Sequence, residues 1–172
     1  MPASRADLFA LLDSLGITTK THEHAAVFTV AESLDIETAM PGGHTKNLFL
    51  KDKKDRLFLV VALNDAVIDL KTIHKTLDCD RISFGKAELL EQVLGVKAGS
   101  VTPFSAINDK AGRVTIILDA RMMDQPLLNY HPLENTATTA IARDDLLRFI
   151  RATGHDPKIV QVSNGRLAAA AH

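Results

Sequence analysis

Seven consecutive residues, Leu57–Leu63 (LFLVVAL), are apolar at every position. Side chains of a strand alternate between two faces, so an unbroken apolar run of this length predicts a strand buried on both. The charged run KDKKDR precedes it, and Lys46–Lys51 before that reads as a partner strand. A turn this short cannot hold a crossover, so the two strands must be antiparallel. A buried central hairpin is therefore the feature around which the rest must pack.

The remaining periodicities supply its surroundings. Leu8, Leu11, Leu12 and Leu15 stand at helical spacing over Asp7–Leu15, with Gly16 as a stop. Ile17–His22 is β-branched and reads as a strand. Thr29 with Glu32 forms a capping-box pattern for a short helix through Leu34. Met40–His44 (MPGGH) marks a tight turn. Helices are expected over Asp69–Leu77, Lys86–Leu94 and Arg143–Thr153, and strands over Val114–Leu118, Ala137–Ala142 and Lys158–Val162, with a frayed RLAAAAH tail. Helices and strands mix without regular alternation. The expected class is α/β in the broad sense, one domain over 1–172 with a mixed, curved, partly barrel-like sheet flanked by helices. A doubly wound fold fits less well.

Composition narrows the function classes. Hydrophobic residues make up 46% and charged residues 24%, proportions of a globular chain able to bury its own core. One cysteine, Cys79, allows no internal disulfide, which fits a reducing, cytoplasmic setting. No signal peptide is expected at the acidic N-terminal segment, and no run approaches the roughly 18 apolar residues of a membrane span. The net charge of −1 argues against bulk nucleic-acid binding, DNA included, but leaves room for a local patch. Lys46, Lys51, Lys53, Lys54 and Arg56 face only Asp52 and Asp55 within His44–Arg56, a local +3. That turn is either a solvated hairpin tip or a phosphate contact.

Candidate chemistry is sparse. His22 and His24 form an H-x-H pair, but no further cluster completes a metal site. Cys79 lies between Asp78 and Asp80, which disfavour a thiolate. PGGHTK lacks P-loop spacing, although its Gly-Gly turn offers backbone N–H groups next to Lys46 and Asn47. Alternation puts those two on opposite faces unless the strand start is bulged. The loop GVKAGSVTPF (Gly95–Phe104) is either a helix cap followed by a turn or a backbone wall that approaches a ligand closely.

FTVAES (Phe28–Ser33), MPGGHTKNLFLKDKK (Met40–Lys54), GVKAGSVTPF and LNYHPLENTATTAI (Leu128–Ile141) occur in that order, and the resemblance they carry spans nearly the whole chain. The chain resembles the YbaK/prolyl-tRNA-synthetase-associated domain family, most closely its freestanding trans-editing branch, which hydrolyses mischarged Ala-tRNA(Pro). The resemblance implies an aminoacyl-tRNA deacylase with no metal or organic cofactor. Its implied partners are aminoacylated tRNA(Pro) and prolyl-tRNA synthetase. It implies that Lys46 is the family's essential lysine, with Asn47 beside it, Gly95, Gly99 and Ser100 in the glycine loop, and His131 in the N-x-H-P segment. Such an ester is already activated. It needs a positioned water and a stabilised oxyanion rather than a covalent nucleophile. Lys46 would meet the terminal phosphate or a carbonyl, Asn47 would orient, and His131 would act as base or, preferably, in positioning. Val30, Leu34, Ile36, Thr45 and Phe49 are candidate walls of a small pocket, and Lys51, Lys53, Lys54 and Arg56 a tRNA footprint. A Cys-tRNA(Pro) deacylase and a non-catalytic tRNA- or synthetase-binding module are the alternatives.

Overall fold

Ten residues from Gly43 to Asp52 form β2 and seven from Leu57 to Leu63 form β3, the antiparallel hairpin at the centre of the sheet. The structure is a computed structural model. It describes residues 1–26 and 30–164, and of residues 30–33 only the backbone. Around the hairpin, α1 (Arg5–Ser14), β1 (Lys20–Glu23) and α2 (Val30–Ala39) precede it in the chain. Following it are α3 (Ile73–Leu77), β4 (Ile82–Phe84), α4 (Ala87–Leu94), β5 (Val114–Asp119), β6 (Leu127–Tyr130), β7 (Ala137–Ala142), α5 (Arg143–Ala152) and β8 (Lys158–Val160). Short 3₁₀ turns cover Ala98–Ser100, Pro103–Asn108 and Met122–Asp124.

The eight strands make one mixed sheet in the order β1-β7-β6-β2-β3-β5-β8, with β4 on the far part of β2 beyond β6. β2 pairs with β6 in parallel, as β3 does with β5 and β5 with β8; the remaining pairs are antiparallel. The end strands β1 and β8 do not meet, so the sheet is open and not a closed barrel.

Alternation along β3 explains its composition. Leu57, Leu59, Val61 and Leu63 enter a core cluster with Leu8 and Leu12 of α1, Phe104, and Phe149 and Ile150 of α5. Phe58 and Val60 point the other way, into a second cluster with Leu50, Ile73, Ile117 and Val162. Burial of this kind is worth about 25 cal/mol per Å² of apolar surface. A polar residue at any β3 position but Ala62 would therefore face a core.

Several bounds differ from expectation for local reasons. α2 runs to Ala39, beyond Leu34, and stops where Pro41 disfavours helical geometry in the residue before it. The expected Thr29 cap, the side chain of Val30 and the tail lie outside the described residues. β2 begins at Gly43, so the Met40–His44 turn is shorter than expected. Asp69 does not cap a long helix. Its Oδ1 accepts from the Lys71 N–H at 3.0 Å in a turn, and α3 starts only at Ile73. β4 and β6 were not legible in the sequence, being three and four residues long.

Candidate active site

Gly42 brings the site together. Its φ is +100°, and a Cβ there would stand 2.8 Å from the Leu127 carbonyl oxygen. Only glycine lets the turn pass so close, and the pairing Gly43↔Leu128, His44↔Asn129 joins the start of β2 to β6. Two side chains lock this junction. Thr45 Oγ1 donates to the Asn129 carbonyl at 2.7 Å, and Asn129 Nδ2 donates to the carbonyls of Pro41 (3.1 Å) and Gly43 (3.3 Å).

A cavity of ≈ 210 Å³ opens beside the junction. β2 lines it with His44, Thr45 and Asn47, and β6 and the residues after it with Asn129, Tyr130 and His131. Thr138 of β7, Asn64 after β3, and Ile36 and Glu37 of α2 complete the described walls. Asn64 Nδ2 donates to Glu37 Oε1, tying α2 to the end of β3.

His131 has a defined tautomer. Its Nδ1 is 2.9 Å from the Ala137 carbonyl, which only accepts, so Nδ1 carries the hydrogen. Burial pushes its pKa below the ordinary 6.5; the bond to Ala137 opposes the shift and neighbouring His24 adds to it. The ring is therefore neutral at pH 7, with its lone pair on Nε2. The rings of His24 and His131 stand 6.4 Å apart. His24 holds the Ala25 carbonyl at 2.7 Å through Nδ1 and Thr138 Oγ1 at 2.8 Å through Nε2. Among the described residues, no group of three or more His, Cys, Asp or Glu side chains is placed to hold a metal ion.

The residues singled out from the sequence are distributed unevenly. Thr45, Asn47, Ile36 and His131 share the cavity. Lys46 does not line it. The register Thr45↔Leu63, Lys46↔Ala62, Asn47↔Val61 is regular, with no bulge, so Lys46 projects to the opposite face. There its Nζ donates to the Ala66 carbonyl beside Asp65, whose carboxylate Arg121 holds at 3.0 Å. Phe49 has the parity of Thr45 and Asn47 but lies further along β2, 4% exposed in the main core. A Cβ on Gly85 would overlap its ring at 2.3 Å, so Phe49 forms no cavity wall. Leu34 is 54% exposed and likewise lines none of it.

Gly95, with φ +66°, caps α4 next to Pro2 and Asn108, as the cap reading has it. Gly99 approaches Asn135 Nδ2, and Ser100 is buried in its 3₁₀ turn; none of the three lines this cavity. The residues missed from the sequence are Asn129, Thr138 and Asn64; His24, noted there only as half of an H-x-H pair, contacts Thr138 at 2.8 Å. Asn129 stands two positions before His131 in the N-x-H-P segment, which was the available signal.

The basic turn is largely neutralised. Lys51 pairs with Asp55 at 3.5 Å, Lys54 with Asp80 at 3.9 Å and Arg56 with buried Asp52 at 2.7 Å. Burial alone would raise the Asp52 carboxyl, but hydrogen bonds from Arg56, Asp80 and Lys54 outweigh it and hold it below the ordinary carboxylate range. The turn lies six residues along β2 from Asn47, roughly 20 Å at strand rise.

Cys79 also stands apart from the cavity. Burial first, then the charge of Asp52, raise its thiol pKa. Cys79→Ser is expected to leave hydrolysis unchanged within twofold. An acyl-enzyme adduct detected on this residue by mass spectrometry would reverse that reading.

The comparisons with known proteins agree with one another. Residues 24–149 match the family model of the aminoacyl-tRNA editing domain. The chain is 33% identical over 163 residues to the prolyl-tRNA editing protein ProX of Acetoanaerobium sticklandii, covering 94% of this chain and 99% of that one. It is 37% identical over 161 residues to prolyl-tRNA synthetase associated domain-containing protein 1 of Mus musculus, covering 91% and 95%. A crystal structure described as that of a candidate trans-editing enzyme for prolyl-tRNA synthetase superposes with a TM-score of 0.68 over 93% of this chain and 98% of the other. Their identity of 16% makes this a likeness of fold alone. With a family model spanning most of its length and relatives above 30% identity that it covers almost completely, the chain belongs to the aminoacyl-tRNA editing domain family.

Proposed function

We propose that the chain is a trans-editing deacylase that hydrolyses the aminoacyl ester of mischarged tRNA(Pro), with the alanyl ester as its principal substrate. The observation that carries this reading is a neutral His131 lining the same small cavity as Thr45 and Asn47. The substrate is taken over after prolyl-tRNA synthetase releases it, in the cytoplasm where aminoacyl-tRNA is made. A water held at His131 Nε2 adds to the ester carbonyl as its proton passes to that nitrogen. The carbon–oxygen bond to the ribose then breaks, and the proton leaves with the 3′ hydroxyl. Lys46 has donors left beyond the one spent on Ala66, and as a compact cation on the opposite face of the sheet it is assigned to the terminal phosphate of the acceptor end rather than to the reacting ester.

Size supports the alanyl ester. A synthetase site shaped for proline cannot strongly reject alanine, because missing methylenes are worth only about 1–3 kcal/mol. A second, smaller site solves that problem. The ≈ 210 Å³ cavity is below the roughly 300–1,000 Å³ of drug-sized ligand sites. The test is a deacylation panel of Ala-, Ser-, Cys- and Pro-tRNA(Pro). Alanyl ester should turn over fastest and prolyl ester not measurably. Faster cysteinyl turnover would make this the cysteine-clearing branch, and tight tRNA binding with no turnover a binding module.

The tRNA footprint at the β2–β3 turn rests on Lys53 and on lysines whose carboxylate partners are exposed. The double variant Lys53→Ala/Lys54→Ala is expected to weaken cognate and non-cognate tRNA about equally and to lower the slope of log K against log salt by about 1–2. Unchanged affinity and slope would reduce the turn to a solvated hairpin tip.

A further inference from the structure

We infer that the floor of the cavity is a receptor for the free α-ammonium group of the aminoacyl ester, formed by the side-chain oxygens of Asn129 and Asn47. The inference rests on the deacylase reading and adds to it the group by which the substrate is held. Asn129 is 2% exposed. Its Nδ2 donates to the carbonyls of Pro41 and Gly43, so the amide cannot be turned over without setting its oxygen against two other oxygens. Oδ1 is thereby committed as an acceptor, yet it is buried and, among the described residues, has no donor. Asn47 Oδ1 is likewise buried and, among the described residues, has no donor, and both residues line the one cavity. Buried carbonyl oxygens are rarely left unpaired, because the loss of water is then uncompensated.

Two neighbours carry the same sign. Thr138 Oγ1 stands 2.8 Å from His24 Nε2, and its oxygen keeps a lone pair for a donor in the cavity. Glu37 adds a carboxylate to the wall. A wall of acceptors with one negative charge fits a group that has only donors and a positive charge. A primary ammonium has three N–H donors and no lone pair. Of the chemical groups on an aminoacyl-tRNA end, the α-ammonium alone meets that description. A hydroxy acid or an N-acylated amino acid does not.

The test compares alanyl-tRNA(Pro) with lactyl-tRNA(Pro), which keeps the ester and the methyl group but replaces the nitrogen by a hydroxyl. Each enzymatic kcat/KM is divided by the spontaneous hydrolysis rate of the same ester at the same pH, which removes the activation that the ammonium itself provides. The wild-type protein is expected to favour the alanyl ester at least about tenfold after this correction, as for a hydrogen bond to a charged group. In Asn129→Leu, and separately in Asn47→Leu, that preference should fall toward one. Loss of the Asn129 bonds to Pro41 and Gly43 would slow both esters alike and leave the ratio standing, so a purely structural role is distinguished. A corrected wild-type ratio near one, or a ratio that neither variant changes, would overturn the inference while leaving the deacylase reading intact. No alanyl turnover by the wild type would overturn both.

Discussion

Replacement of His131 by alanine is expected to lower kcat/KM for deacylation by about 10²–10⁴-fold, the usual contribution of a positioned general base. The melting temperature should change little, since the side chain holds one backbone carbonyl, that of Ala137, and stands beside a cavity rather than in the core. The pH profile makes the test specific. The imidazole works unprotonated, and burial moves its pKa down from 6.5. Activity should therefore persist as pH falls through 6.5 and decline only below it, and this acid limb should vanish in the variant. A limb centred above 6.5, or one unchanged in His131→Ala, would assign the titration to another group. A stability effect accompanies it. With its folded pKa depressed, this histidine binds more protons in the unfolded chain, so its contribution to stability declines as pH drops below 6.5.

The largest loss of stability is expected at Asp109, far from the cavity. Its carboxylate is 3% exposed and accepts from the backbone N–H groups of Arg113 (3.0 Å) and Val114 (2.9 Å). His155 Nε2 stands 2.8 Å from the same group, and Thr153 Oγ1 supports the other ring nitrogen at 2.9 Å. The cluster ties the start of β5 to the segment after α5. Asp109→Ala leaves a buried imidazole and two amides without their acceptor. Each buried donor left without a partner costs about 1–3 kcal/mol, so losing the acceptor of all three costs at least about 3 kcal/mol. In a chain of 172 residues that corresponds to a fall in Tm on the order of 10 °C. Deacylation measured well below the lowered Tm should stay near the wild-type rate. A fall of under about 2 °C would show that the cluster is dispensable.

Both positions were treated unequally by sequence reasoning. His131 stands in a segment whose resemblance to a family points to it directly. Nothing near Asp109 marks it as buried, and its partner lies 46 residues away. The same contrast separates Asn47 from Asn129. Asn47 adjoins the lysine of a strand motif, whereas Asn129 gains its place only when β6 docks on β2 and turns its amide toward Pro41 and Gly43. Lys46 shows the converse. Alternation correctly put it opposite Asn47, and the regular register removes the bulge that would have joined them.

What the chain's own pattern determined is the central hairpin, the helices α1, α4 and α5, the mixed character of the sheet, and the family. The family follows from the motif resemblance; the others follow from local spacing: alternation of two, helical repeats of three and four, glycine stops, and a run of seven apolar residues that must be covered on both faces. What only the tertiary structure decided is which residues meet. The parallel pairing of β2 with β6 joins residues 43 and 44 to 128 and 129. Glycine at position 42 permits that approach, and the cavity forms where the two strands separate. Pairing across such a separation is set by the packing of the whole core. Short-range periodicity has no term for it, so the floor of the site could be read only once the sheet was assembled.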